Sequence, residues 1–194
     1  MLLHGLASSG AHMVHLGVDW AQRIGVPHVA SPDAPEKSDT SVYGHQWFSL
    51  QGVTEETWKD RVAAAEAAFD AVVDREVARV GTTLRKTVLV GHSQGAIMAL
   101  DALVRGRRFA GVVAFSGRLV RQPTSPIAGD VPVLLVHGEA DGRVPAEDAI
   151  ATHRVLRAAG ATSCLKIIAG QGHSIGEAGA AAGAGVLAGL DTKE

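Results

Sequence analysis

A serine placed between two glycines is the feature of this sequence best suited to chemistry. Ser93 stands at the centre of GHSQG, residues 91–95, after an apolar β-branched run and before an apolar stretch with helical spacing. Glycines two places to either side permit a sharp strand-to-helix turn, because side chains there would collide with the neighbouring backbone. Such a turn would expose the hydroxyl at a strand end, with a helix N-terminus behind it. We predict that Ser93 is a nucleophile; in a chain with 23 glycines, an ordinary tight turn is the alternative.

A base and an acid follow in the chain order that a nucleophilic serine requires. A hydroxyl is a poor nucleophile until a base accepts its proton, and a neutral imidazole can do so near pH 7. Asp141 comes after the apolar run that ends in HG, and His173 comes after the next apolar run. We predict that His173 is the general base and acid and that Asp141 orients its imidazole. Glu139 is the alternative acid, while an Asp-Gly turn and a plain loop histidine are the structural alternatives.

Two backbone N–H groups would have to stabilise the negative charge that develops on a reacting carbonyl oxygen. Gln94, directly after the predicted nucleophile, would supply one of them. The segment HGLASSG, residues 4–10, would supply the other, and we predict the amide of Leu6, with Gly5 allowing a close backbone approach. An ordinary glycine- and serine-rich turn is the alternative for this segment.

These residues need elements that bring them to one place. Short β-branched runs alternate with longer amphipathic stretches, which is typical of an α/β fold with a mostly parallel sheet and helices on both faces. Residues that follow the carboxyl ends of such strands share one edge of the sheet. The predicted strands cover residues 1–3, 26–30, 87–90, 111–115, 131–136 and 164–168, and the predicted helices cover residues 11–24, 54–80, 94–105, 146–159 and 174–190.

The first part of the chain departs from this regular pattern. MLLHG begins almost inside a strand, so we expect a fold whose N-terminal strands are missing or truncated and whose sheet edge is exposed. An exposed edge would permit a homodimer. Residues 31–52 form the longest stretch without a regular pattern, and loops of that length inside a compact domain are more often functional than passive.

Length and composition favour one packed domain over residues 1–194. Hydrophobic residues make up 46% of the chain and charged residues 20%, which is close to the average globular protein. A net charge of -2 gives no basic footprint for nucleic acid, so no nucleic-acid partner is predicted. No run of about 18 apolar residues and no basic N-terminal leader is present, so we expect no stable membrane insertion and, by default, a cytoplasmic protein.

The remaining cysteine and histidines indicate no cofactor. The single Cys164 cannot form an intramolecular disulfide, and its setting in SCLKII predicts a buried strand position. His12 and His15 share one face of a predicted helix, but no Asp, Glu or Cys at suitable spacing joins them, so a solvated face is expected and no metal is predicted. The glycine-rich residues 176–189 lack the context of a nucleotide-binding loop.

Six motifs along nearly the whole chain carry a family resemblance. They are, in chain order, HGLASSG, SPDAPE, QWFSL, GHSQGA, LLVHGEAD followed by RVP, and GQGHSI. On these motifs the chain resembles the phospholipase/carboxylesterase family of α/β-hydrolases, which includes acyl-protein thioesterases and small bacterial carboxylesterases. Ala7-Ser8 stands where members of the family often carry Gly-Asp.

The resemblance implies an activity and its residues. It implies a serine hydrolase acting on small esters or thioesters of modest acyl chains through an acyl-enzyme intermediate, with no cofactor. The implied triad is Ser93, Asp141 and His173, and the implied oxyanion donors are Leu6 and Gln94. It also suggests that Trp47, Phe48 and Leu50 border the acyl site, although a loop anchored in the core is an equal alternative for them. The alternative functions are a lysophospholipase or acyltransferase on the same scaffold, or a non-catalytic hydrolase-like binding protein.

Overall fold

A five-stranded, wholly parallel sheet forms the centre of the molecule. The structure is a computed structural model, and it describes residues 1–127 and 129–190. Two further short strands form a separate antiparallel pair. The strands are β1 Leu2–Leu3, β2 Glu36–Lys37, β3 His45–Gln46, β4 Val88–His92, β5 Gly111–Phe115, β6 Pro132–Gly138 and β7 Thr162–Ile168. The order in the main sheet is β1-β4-β5-β6-β7, and β2 pairs with β3.

Helices cover both faces of the sheet. They are α1 Gly10–Ile24, α2 Trp58–Val80, α3 Gln94–Val104, α4 Ala146–Ala158 and α5 Gly176–Leu190. Successive side chains of a strand point to opposite faces, so each central strand contributes to two apolar clusters. In β5, for example, Val112 packs into the cluster that includes α2, α3 and α4, whereas Val113 packs into the one that includes α1 and α5. The predicted α/β fold class is confirmed.

One predicted strand, residues 26–30, is wrong. The segment is irregular, and its link to the sheet is a hydrogen bond of 2.8 Å from the N–H of Leu2 to the carbonyl of Ala30. Pro27 has no N–H to donate to a neighbouring strand, and β1 offers only two residues to pair with. Residues 26–30 therefore form no strand, in spite of their β-branched side chains.

The second helix begins later than predicted, at Trp58 instead of residue 54. The carbonyl of Thr54 accepts hydrogen bonds of 3.1 Å from the N–H groups of Thr57 and Trp58, and the hydroxyl of Thr57 accepts one of 2.9 Å from the N–H of Thr54. This side-chain bond holds residues 54–57 in a turn that precedes the helix. The other predicted elements are present, with ends shifted by at most two residues.

Cys164 is exposed, which contradicts the predicted buried position. Its strand, β7, is the last strand of the sheet, and several of its residues are exposed, unlike those of a central strand. Across the described residues, no helix combines the length and the apolar character needed to cross a membrane.

Candidate active site

Ser93 occupies the sharp turn between β4 and α3. Its backbone angles are φ 54° and ψ −118°, a conformation that residues other than glycine rarely adopt. The N–H of Ser93 donates to the carbonyl of Phe115 at 2.9 Å, which ties the turn to β5. A β-carbon on Gly91 would collide with the backbone of residues 95–96, and one on Gly95 would collide with the carbonyl of Leu3. The two glycines thus permit the turn, as the sequence pattern predicts.

His173 lies between Ser93 and Asp141. Its Nε2 is 3.0 Å from Oγ of Ser93, and its Nδ1 is 2.8 Å from Oδ2 of Asp141. Because an ionised carboxylate only accepts hydrogen bonds, Nδ1 carries the proton and Nε2 is left to accept one from the serine hydroxyl. The structure thus brings together the three side chains that the sequence predicts, from the loops after β4, β6 and β7.

Asp141 is held by donors on both carboxylate oxygens. Oδ1 accepts hydrogen bonds from the N–H groups of Arg143 and Val144, at 2.9 and 3.0 Å. Burial alone would raise the pKa of Asp141, but the donors of Val144, Arg143 and His173, together with the hydroxyl of Ser116, outweigh it and lower the pKa to about 2. Asp141 is therefore ionised at neutral pH.

The alternative acid, Glu139, does not face the imidazole. Its side chain is exposed, and its Oε2 accepts a hydrogen bond of 3.1 Å from the N–H of Gly170. The buried His137 is the other imidazole beside Asp141: its Nε2 donates to the carbonyl of Val144 at 2.8 Å and lies 3.3 Å from Oδ2. The sequence alone gave no sign of this second contact.

The loops that carry Asp141 and His173 are joined to each other. The N–H of Glu139 donates to the carbonyl of Ile168, and the N–H of Ala140 donates to the carbonyl of Gln171, both at 2.9 Å. A β-carbon on Gly138 would collide with the backbone of residues 171–172. The acid loop and the histidine loop therefore form one packed unit.

The segment that carries Leu6 passes directly beside the serine. A β-carbon on Gly5 would lie 3.2 Å from Cβ of Ser93, so glycine permits the close approach. Within the described part of the chain, the N–H groups of Leu6 and Gln94 find no hydrogen-bond acceptor. Gln94 is the first residue of α3, where backbone N–H groups lack partners within the helix.

A buried histidine shapes this segment. Nε2 of His4 accepts a hydrogen bond of 2.9 Å from the N–H of Ala34, so the proton lies on Nδ1, which donates to the carbonyl of Gly5 at 2.7 Å. Burial lowers the pKa of His4, which keeps the ring neutral. The indole N–H of Trp47 donates to the carbonyl of His4 at 2.9 Å. This role of His4 is not predicted from the sequence, in which the adjacent Gly5 indicates only that the backbone here approaches its neighbours closely.

Of the three residues predicted to border the acyl site, two lie in the core. Trp47 is 1% exposed and packs edge-on against Phe69, and Phe48 is 2% exposed and packs edge-on against Trp58. Leu50 is partly buried against the same core. The core-anchored alternative therefore describes Trp47 and Phe48, and Leu50 retains exposed surface.

His92, beside the serine, faces the imidazole of His173. The two ring centres are 5.0 Å apart, and Nε2 of His92 is buried without a hydrogen-bond partner in the described residues. Burial, followed by the neighbouring His173, lowers the pKa of His92 to about 4. The ring is therefore neutral at physiological pH.

The described residues contain no cluster of side chains suited to binding a metal ion. No group of three His, Cys, Asp or Glu side chains is close enough to hold a metal ion in residues 1–127 and 129–190. Nδ1 of His12 is 3.0 Å from the hydroxyl of Ser9, and His15 is exposed.

Comparison with known proteins agrees with the geometry. The family model described as Phospholipase/Carboxylesterase matches residues 1–182. The chain is 32% identical over 176 residues to Esterase YpfH of Escherichia coli (strain K12), covering 90% of this chain and 75% of that protein. It is 24% identical over 194 residues to Acyl-protein thioesterase 1 of Neurospora crassa, covering 90% and 79%. The crystal structure of esterase PE8 superposes with a TM-score of 0.87 at 30% identity, covering 97% of this chain and 90% of that one.

The chain therefore belongs to the phospholipase/carboxylesterase family of α/β-hydrolases. It is a hydrolase of the carboxylesterase type. The family resemblance inferred from the six sequence motifs is confirmed.

Proposed function

We propose that this protein is a serine hydrolase that cleaves carboxylic esters or thioesters of modest acyl chains through an acyl-enzyme intermediate. The observation that carries the proposal is the position of His173, whose two ring nitrogens lie 3.0 Å from the Ser93 hydroxyl and 2.8 Å from the Asp141 carboxylate. A nucleophile, a base and an orienting acid within hydrogen-bond distance are the parts that acyl transfer requires.

Ser93 and His173 carry the two halves of the reaction. Oγ of Ser93 attacks the carbonyl carbon while Nε2 of His173 takes the hydroxyl proton. The bond to the leaving alcohol or thiol then breaks, and His173 returns the proton to that leaving group, which leaves the acyl group as an ester on Ser93. Water attacks this ester, again with His173 as base, so the carboxylic acid departs and the serine hydroxyl is restored.

Asp141 keeps the imidazole in the useful tautomer. As an ionised carboxylate with a pKa of about 2, it accepts the Nδ1 proton and so leaves Nε2 unprotonated before each attack. It also stabilises the imidazolium that forms when His173 takes up a proton.

The developing oxyanion is stabilised by backbone donors. We assign this role to the N–H groups of Leu6 and Gln94, which have no acceptor in the described residues and lie on segments next to Ser93. The positive end of the α3 dipole lies behind the same position, which further favours negative charge there.

The substrate class rests on the relatives and on the partly buried Leu50. The names of the relatives specify an esterase and an acyl-protein thioesterase, which supports a carbonyl carrying either an oxygen or a sulfur leaving group. Leu50 follows two residues after Phe48, whose carbonyl Gln94 holds, and we assign its partly exposed apolar side chain to the acyl site.

A fluorophosphonate probe tests the nucleophile, because such probes label only an activated serine. We expect wild-type protein and Ser163→Ala to be labelled and to hydrolyse a short p-nitrophenyl ester, and Ser93→Ala to do neither while its circular dichroism is unchanged. Ser163 is the matched control because its hydroxyl is buried and hydrogen-bonded to His153. It lies at the start of β7, whereas His173 follows the end of that strand. Turnover by Ser93→Ala at the wild-type rate would refute the proposal.

A panel of substrates tests the class. Oxygen esters and matched thioesters from acetyl to dodecanoyl are compared by kcat/KM, and we expect the highest values at intermediate lengths. If the probe labels Ser93 but no member of the panel is hydrolysed, the nucleophile is right and the proposed substrate class is wrong.

A further inference from the structure

Ser116 lies at the end of β5, between the strands that lead to Ser93 and Asp141. The residue before it, Phe115, accepts the N–H of Ser93 at 2.9 Å. The N–H of Ser116 itself donates to the carbonyl of Val136, in β6, at 3.0 Å. The backbone at this point is therefore tied to both the nucleophile turn and the strand that precedes the acid.

The backbone of Ser116 is strained. Its φ is 51°, in the left-handed region that costs an L residue free energy and that glycine adopts readily. Strained residues persist only where the surrounding structure holds them, and they cluster at functional sites. Glycine would adopt this backbone conformation at a lower cost in free energy than serine does. A role for the Ser116 side chain would explain why serine stands here.

The hydroxyl of Ser116 is buried at the end of the strand that lies between those leading to Ser93 and Asp141. The residue is 1% exposed, and no hydrogen bond of regular geometry to a described residue satisfies its Oγ. Burial raises the pKa of Asp141 and the N–H donors of Val144, Arg143 and His173 lower it; the Ser116 hydroxyl lowers it further. A buried hydroxyl without a regular hydrogen-bond partner calls for an explanation, and its influence on the pKa of Asp141 makes that carboxylate the candidate acceptor.

As a donor to this carboxylate, Ser116 would differ from Arg143 and Val144 in where it comes from. Arg143 and Val144 belong to the same turn as Asp141 and would move with it. Ser116 comes from β5, the strand that also holds the N–H of Ser93. A contact from this strand would fix the acid relative to the nucleophile.

We propose that Ser116 is a positioning residue: its hydroxyl donates to the Asp141 carboxylate and keeps it aligned with His173. This inference rests on the proposed function, because it assigns Ser116 a part in the same acyl transfer.

Two variants separate the hydroxyl from the strain. Ser116→Ala and Ser116→Gly both remove the hydroxyl, but glycine also relieves the backbone, so Ser116→Gly should have the higher Tm. We expect kcat per fluorophosphonate-titrated serine to fall about tenfold in both variants, with KM changed by less than about twofold, because only the alignment of the acid is lost. Ser163→Ala, which removes another buried hydroxyl, should keep the wild-type kcat.

A merely structural role predicts a different outcome. In that case kcat per titrated site would follow stability, and Ser116→Gly would recover the wild-type value. Wild-type kcat in both Ser116 variants would overturn the proposal outright.

A double-mutant cycle tests whether Ser116 acts through Asp141. The rate constant of fluorophosphonate labelling is measured for wild type, Ser116→Ala, Asp141→Asn and the double variant. We expect the loss caused by Ser116→Ala to shrink to less than about twofold in the Asp141→Asn background, because the group that it positions is already altered. An undiminished loss in that background would overturn the proposal. If wild-type protein itself is not labelled, the proposed function fails instead, so the two failures are distinguishable.

Discussion

The side-chain oxygen of Gln94 accepts a hydrogen bond of 3.0 Å from the backbone N–H of Trp47. The amide nitrogen of the same side chain donates to the carbonyl of Phe48 at 2.8 Å. Gln94 is 2% exposed, so these bonds lie in the core. The residue whose backbone we assign to the oxyanion site therefore also anchors the loop of residues 47–48 through its side chain, and a change at Gln94 would disturb both.

Replacing Asp141 should abolish most of the activity. We expect Asp141→Asn to lower kcat by a factor on the order of 10³ to 10⁴, because an amide favours the wrong imidazole tautomer and cannot stabilise the imidazolium. The measurement is steady-state hydrolysis of a p-nitrophenyl ester. Glu139→Gln is the matched control, since the Glu139 side chain is exposed and bonds to Gly170; it should stay within about twofold of wild type. The opposite ranking of the two variants would make Glu139 the acid.

The glycines of the nucleophile turn should tolerate no side chain. Gly91→Ala and Gly95→Ala should each destabilise the protein by about 3 kcal/mol or more, because the added carbon meets backbone atoms that cannot move aside. Gly185→Ala provides the comparison: the site is exposed, lies within α5 and has open space around it, so alanine should stabilise the helix by about 0.5 to 1 kcal/mol. Urea unfolding would measure all three, and similar stabilities would contradict the steric argument.

His92 should make the protein less stable as the solution becomes acidic. Its pKa is lowered from 6.5 to about 4 in the folded protein by burial and then by His173, so between these values the unfolded chain binds more protons. Stability linked to His92 is therefore fully present above about pH 6.5 and is lost as the pH falls through about 4, by an amount on the order of 3 kcal/mol.

The test of this pH effect is His92→Phe. The free energy of unfolding of both proteins is measured in urea at pH 7 and pH 4.5, and the difference between the proteins removes the contribution of other titrating groups. Those that act on His92 itself are His173, Asp141, Arg143 and His137. We expect the variant to lose less stability than wild type on acidification. An equal loss would mean that His92 does not titrate in this range.

Trp47 and Leu50 should respond differently to truncation. Trp47→Ala removes a buried side chain and its hydrogen bond to His4, so we expect a loss of about 3 to 5 kcal/mol in the free energy of unfolding. Leu50→Ala should cost about 1 kcal/mol and instead lower the ratio of kcat/KM for a long ester to that for a short one by about fivefold. An unchanged ratio would remove Leu50 from the acyl site.

Features fixed by local geometry could be predicted from the sequence. Glycines at 91 and 95 are the residues that the sharp turn permits, and apolar runs mark the strands that end near Asp141 and His173. Because parallel strands end at one edge of a sheet, finding the strands was sufficient to bring the three side chains together. No knowledge of distant contacts was needed.

Features that depend on distant partners could not be predicted. The strands of the β2–β3 hairpin are two residues long and polar, so neither has an apolar pattern, and His45 of this hairpin is held by the carbonyl of Ser8. The positive φ of Ser116 could not be predicted from its residue type, because glycine, not serine, is the residue typical of the left-handed backbone region. Cys164 is exposed although the adjacent Ser163, in the same last strand of the sheet, is buried, and composition does not reveal which residues of that strand are covered.

The contacts between the acid loop and the histidine loop constrain how this site can be redesigned. Backbone hydrogen bonds join residues 139–140 to residues 168–171, and Gly138 leaves no room between the two loops. A length change in one loop would strip the other of its bonding partners. Anyone grafting this site onto another scaffold, or importing loops from a relative to alter selectivity, would therefore need to transplant the two segments together.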